Sequence, residues 1–317
     1  MASLPPVRKG YRVVMPALPL ESGPFRITLG VRALGAEPIA LVDEARHAHE
    51  VRLRERLLAE DHAYRYRGGP GTEAAGWEVL ALLLRDLARH HPGAASLEED
   101  GARWTWRARL LGGPATTFRL GDRGSLPREP LDWAGRQVVE DLVVLSGDAA
   151  AGFPVIAGQL CFPNDWALPD KVGLPVVDVH GPVPGFAREA GAATLRLLER
   201  LRPGRPVVRA NWALRATDAL DLSPRAGPVP VDGVDAGNAG ETLSVRVERQ
   251  TLSRLPATAA ILFTIHTRSR PLAEVAADPE RARRLLGAVR SMPDAMARYK
   301  GIAPVRAALE TYLEAAA

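Results

Sequence analysis

Residues 242–267, TLSVRVERQTLSRLPATAAILFTIHT, decide the fold. Across 242–250, apolar Leu243, Val245 and Val247 alternate with polar residues, the two-residue period of a strand. Residues 259–267 form a second strand. Its alternation places His266 on the face of Leu262 and Thr264, opposite Phe263 and Ile265.

Working upstream, residues 206–214 and 154–161 read as strands. So do residues 103–111, where Trp104, Trp106, Ala108 and Leu110 alternate against arginines. Residues 116–120 can pair with these last across Gly112-Gly113. RQVVEDLVVL, residues 136–145, fits a helix or a buried strand equally well by period. Helical spacing marks residues 43–60, with Asp43 as N-cap, and 72–91, closed by Pro92-Gly93. It recurs at 189–201, with Leu195, Leu198 and Leu201 on one side, and at 279–290 and 305–316. Residues 221–241, rich in Gly, Pro and Asp, form a long loop of the kind that is often functional. Helices, then strands around one crossover helix, then helices give an α+β fold with a mostly antiparallel sheet.

The chain has 317 residues, 46% hydrophobic and 25% charged, ordinary for a globular protein with one large or two small domains. No apolar run approaches the roughly 20 residues of a membrane span. Residues 1–14, MASLPPVRKGYRVV, lack the apolar core of a secretory signal. The single cysteine, Cys161, excludes an intramolecular disulfide and any cysteine-rich zinc or iron–sulfur site. A reducing cytoplasm is the natural setting. The net charge is only +4, and arginines alternate with acidic residues. With no basic block and interleaved aromatics, nucleic-acid binding is not expected.

Seven histidines are candidates for chemistry. His47, His49 and His62 read as surface groups, and His90 and His91 as residues that complement a helix C-terminus. No HxxxH or HExxH pair, nucleophile elbow, Walker loop or dinucleotide fingerprint is present. His180 differs by context: it lies in residues 162–186, FPNDWALPDKVGLPVVDVHGPVPGF. Pro182 and Pro184 fix φ on either side of Val183, and Gly181 and Gly185 permit backbone that other residues resist. This stiff loop either caps a strand end through a hydrogen-bonded imidazole or aims that imidazole at a ligand. His266 reads as a satisfied sheet-face histidine. Glu248, Arg249, Gln250 and Arg254 put polar groups where a core strand would carry apolar ones. They form a salt-bridged strand end, or Arg249 or Arg254 holds an anionic group such as a propionate. In VVRANWAL, Arg209 and Asn211 share one face and Trp212 takes the other, as a core residue.

EDLVVL (140–145), CFPNDW with DKVGLPV and VHGPVPGF (161–186), RANW (209–212), and ERQTLSRLP with ILFTIHT (248–267) occur in one order. By these motifs, spread over roughly residues 25–272, the chain resembles the haem-dependent oxidative N-demethylase family. The resemblance implies a PAS-like, mostly antiparallel sheet enclosing a haem b pocket. A core at 101–272 would carry an N-terminal helical region, 1–100, and C-terminal helices, 273–317. His180 matches the family's iron-ligating histidine, and His266 a second catalytic position that varies among members. Arg209, Asn211, Arg249 and Arg254 would hold the cofactor.

The implied reaction is demethylation of a small secondary amine with O2, releasing formaldehyde. Electrons would come from NADPH through separate reductase subunits carrying flavin or an iron–sulfur cluster. A homo-oligomer is compatible with this picture. The competing readings are a non-catalytic haem-binding PAS-type sensor or haem carrier, and a monooxygenase acting on a larger methylated substrate.

Overall fold

The computed structural model describes residues 18–20 and 23–317; the signal-peptide reading of residues 1–14 lies outside them. The chain begins with a short strand β1 (Arg32–Ala33), then α1 (His47–Glu60), α2 (His62–Arg65) and β2 (Tyr66–Arg67). The long α3 (Glu73–His90) follows. It leads to β3 (Ala95–Asp100), β4 (Arg103–Ala108) and β5 (Thr116–Arg119), a three-stranded antiparallel sheet. Next come α4 (Pro130–Gly135), β6 (Asp141–Leu145), β7 (Val155–Gln159), the one-turn α5 (Val176–Val179) and α6 (Ala192–Arg200). Strand β8 (Val207–Arg215) precedes α7 (Ala239–Thr242) and the long hairpin of β9 (Ser244–Arg254) and β10 (Ile261–Pro271). Helices α8 (Leu272–Ala276), α9 (Pro279–Ser291), α10 (Asp294–Tyr299) and α11 (Arg306–Ala316) end the chain.

The large sheet has the order β1-β8-β9-β10-β6-β7-β2, and every pairing in it is antiparallel. The fold is therefore α+β, built on a large open antiparallel sheet. Of the ambiguous segment 136–145, residues 141–145 become a strand because β6 sits between β10 and β7, with all five of its residues buried. Strands β1 and β2 come from residues 1–100, and the expected boundary at 100 falls in the β3–β4 turn.

Both faces of the sheet are covered. On one face Val143, Leu145, Leu252 and Ile261 pack with Val176 of α5 and Leu198 of α6. On the other, Leu142, Val144, Val208 and Leu262 meet α1 and α3. Further along that second face, Trp212, Leu214, Val245 and Val247 meet the C-terminal helices. Trp212 is thus a core residue, as its alternation predicts.

Some boundaries moved for local reasons. Helix α1 starts at His47, because the Asp43 carbonyl closes a tight turn on the amides of Arg46 and His47. The Asp43 carboxylate does not cap α1; it accepts from the Ala45 amide and faces Arg268 at 3.7 Å. Strand β3 has no sequence period, since its acidic outer half, Glu98–Asp100, is exposed; pairing with β4 defines it.

Candidate functional site

His180 immediately follows α5. Three successive turn hydrogen bonds wind the backbone around it, from Gly181 to Asp178, from Val183 to the His180 carbonyl, and from Phe186 to Val183. The Phe186 ring thereby returns onto the imidazole, with centroids 4.1 Å apart and planes 10° from parallel. Nδ1 lies 2.8 Å from the Val176 carbonyl. A carbonyl only accepts, so Nδ1 carries the proton and donates, and the Nε2 lone pair is left free. Nε2 has no hydrogen-bond partner among the described residues. Burial, with help from Arg209 and Lys171, pushes the pKa of His180 below the usual histidine value, against the opposing pull of the Val176 carbonyl. A neutral imidazole fixed through Nδ1 is the form that ligates a metal through Nε2.

Helices α5 and α6 cover the sheet face that carries Arg209 and Asn211. In register these pair with Gln250 and Glu248 of β9. Arg209 donates from Nε to Leu29 O at 2.7 Å and from Nη1 to Gln250 Oε1 at 2.9 Å. Gln250 in turn donates to Glu248 at 3.0 Å. Arg215 reaches Asn164 Oδ1 at 2.9 Å and the Lys300 carbonyl. Lys300 donates to the Trp212 carbonyl at 2.6 Å and lies 3.4 Å from Asn211 Oδ1. None of these three cations has a carboxylate within ion-pair distance among the described residues. Burial pushes Arg209 and Arg215 below the usual arginine value, and Lys300 down to about 8, while Glu248 opposes the shift in each. These buried cations thus have no directly paired carboxylate, with Glu248 acting on them only from a longer distance.

The other predicted site residues lie elsewhere. His266 and Arg249 are register partners on the opposite face, against α1 and the segment before it. His266 Nδ1 bonds Glu140 Oε1 at 2.9 Å, and both side chains are buried. Arg249 donates to the carbonyls of Pro38 and Ile39 at 2.6 and 3.1 Å, pinning that segment. Arg254 donates to Ala259 O at 2.6 Å and closes the β9–β10 turn. Arg209 thus lies near enough to His180 to act on its charge, and Asn211 shares the face of Arg209, whereas His266 and Arg249 lie on the other face and Arg254 at the hairpin turn. The motif ERQTLSRLP is split because Arg249 faces the opposite way from its neighbours Glu248 and Gln250, while Arg254 sits at the strand end against the hairpin turn.

His47, read as a surface group, is instead only 4% exposed, with no partner on Nδ1. The inward side of α1 is itself polar, carrying His47, Glu50 and Arg54, so hydrophobic spacing misassigns it. Lys300, Arg215 and Phe186 were not among the predicted site residues. Phe186 lies inside the His180 motif, but no sequence signal connects Lys300 to RANW, some 90 residues earlier; only the fold does.

The family model for haem-dependent oxidative N-demethylase, alpha subunit-like, matches residues 32–310. The chain belongs to this family. The match takes in the C-terminal helices as well as the motifs noted above. Among curated proteins, the urease accessory protein UreD of Methylibium petroleiphilum is 30% identical over 173 residues. That is 52% of this chain and 56% of that protein, so the chain spans about half the length of this curated relative.

The residues present fit the cofactor in the family's name. Among the described residues no group of three or more His, Cys, Asp or Glu side chains could hold a metal ion. A haem takes one imidazole from its protein, and His180 would offer its unengaged Nε2. The under-neutralised Arg209 and Lys300 fit the carboxylates that a haem carries. No helix of the described residues is long and apolar enough to cross a membrane.

Proposed function

We propose that this chain is a haem-binding catalytic subunit that demethylates a small secondary amine, such as dimethylamine. One observation carries the reading within the family: His180, with Nδ1 engaged and Nε2 free, faces Arg209 on the covered side of the sheet. His180 would ligate the iron of haem b through Nε2. The Val176 carbonyl would hold its tautomer, and stacked Phe186 its ring plane. Arg209, Asn211 and Lys300 would receive the propionates, and Glu248 would limit the excess positive charge. On this reading the large antiparallel sheet is the PAS-like element.

Bound haem supplies the reductive activation of O2. The balanced reaction takes dimethylamine, O2, two electrons and two protons to methylamine, formaldehyde and water. The electrons would come from NADPH through a separate reductase bearing flavin or an iron–sulfur cluster. Cytoplasm is the proposed setting.

The test is an absorption spectrum of the full chain loaded with haem, with dithionite and with and without carbon monoxide, followed by a formaldehyde assay with dimethylamine and a reductant. We expect a Soret band that His180→Ala abolishes or shifts grossly and that added imidazole restores. An unchanged spectrum in His180→Ala would sink the ligand assignment. An intact Soret band without formaldehyde from any methylated amine would favour a sensor or carrier.

A further inference from the structure

A second polar site lies on the exposed side of α1, in a cleft of about 620 Å³ lined by Arg52, Leu53, Arg56, Arg128 and Arg136 among others. It shares no residue with the His180 face. Arg52 and Arg56, one turn apart, make no hydrogen bond or ion pair among the described residues. Arg136 is only 8% exposed, yet just its Nε is engaged, 3.0 Å from Asp132 Oδ1. Its two Nη groups have no partner among the described residues. Arg128 lies 3.8 Å from the same Asp132. That carboxylate is already taken by His62 at 3.0 Å and Gln159 at 2.7 Å, as well as by Arg136. Among the residues lining the cleft, Glu55 is the one carboxylate, against four guanidinium groups.

We propose that this cleft binds a small anion carrying two or more phosphates, of nucleotide size. The buried Arg136 fork suits a phosphate oxygen pair, and its depth puts it beyond the reach of a flat protein surface. The exposed Arg52 and Arg56 are spaced to close on a neighbouring phosphate. Leu53 and Ala59 offer an apolar wall. That wall is too small to cover a porphyrin, so the cleft is distinct from the proposed haem site.

The test is isothermal titration of the full chain with inorganic pyrophosphate and with ADP, near physiological salt. We expect saturable binding of both, with AMP weaker. The Arg52→Gln/Arg56→Gln double variant should bind roughly tenfold more weakly or worse, since each lost guanidinium removes charge-assisted bonds. Both positions are exposed, and an unchanged circular dichroism spectrum would verify the fold. Arg128→Gln is the second variant, expected to weaken binding several-fold. No saturation by either probe overturns the proposal, as does undiminished binding in the variants. Binding of poly-glutamate in place of pyrophosphate also overturns it, making the cleft a protein-docking surface. Loss of the haem spectrum in the double variant does so too, by making these arginines propionate ligands.

Discussion

Glu140 and His266 show what a buried ion pair does for this protein. Burial alone would raise the Glu140 carboxyl, but attraction to His266 and hydrogen bonds from His266 and the Leu41 amide outweigh it and hold it near 2. A carboxylate depressed from its ordinary 4.5 contributes stability that is fully present above that value. That stability is lost as pH falls from about 4.5 toward about 2. Glu140→Gln should therefore flatten the acid limb of the stability curve in that window, as read by urea midpoints against pH. His266→Ala leaves Glu140 buried without its partner and should cost about 3–5 kcal/mol. Because His266 lies across the sheet from His180, the haem spectrum of His266→Ala should keep its Soret position. A spectrum altered as grossly as that of His180→Ala would instead place His266 at the cofactor.

Elements hold the site through single anchors. Gly185 sits at φ +80°, a left-handed backbone, and a Cβ there would lie 2.7 Å from Glu189 Oε1. Gly185→Ala should cost about 1–2 kcal/mol and disturb the Phe186 stack on His180, visible as a changed Soret maximum. The prolines beside Val183 stiffen this loop, but the turn bonds from Gly181, Val183 and Phe186 give the imidazole its aim. On β9, Arg246 donates to the carbonyls of Phe162, Pro163, Ala219 and Leu220. It staples the loop after β7 to the loop after β8. Arg246→Met strands those buried carbonyls and should cost at least about 2 kcal/mol, measured by urea denaturation. A change below about half that would show that water replaces the guanidinium.

At the scale of the molecule, charge and sheet geometry decide how the site responds to pH. Burial holds the Lys300 ammonium near 8, down from 10.5. The unfolded chain therefore binds more protons than the folded one between those values, so stability rises with pH across that window. Below pH 8 the full penalty is present, and its relief is worth up to about 3 kcal/mol. Haem-free protein should show this rise, and Lys300→Met should lack it. Haem loading should abolish it too, if the propionates keep the ammonium charged; an identical rise in loaded protein would remove Lys300 from the cofactor site. Residue order alone determined the strands of the β9–β10 hairpin, the long helix α3, the face of His266, the burial of Trp212 and the family motifs. Those follow from local period and from short-range order, both written along the chain. Tertiary structure alone decided that residues 141–145 are a strand, that His47 is buried, and that β1 and β2 join the large sheet. It also decided that Arg209 lies near His180 and that Lys300 joins the strand of Arg209, while Arg249, Arg254 and His266 lie elsewhere. The reason is physical: a strand sends adjacent side chains to opposite faces, which puts Arg249 and His266 behind the sheet; position along β9 carries Arg254 to the turn; and packing from distant segments selects which face becomes a site.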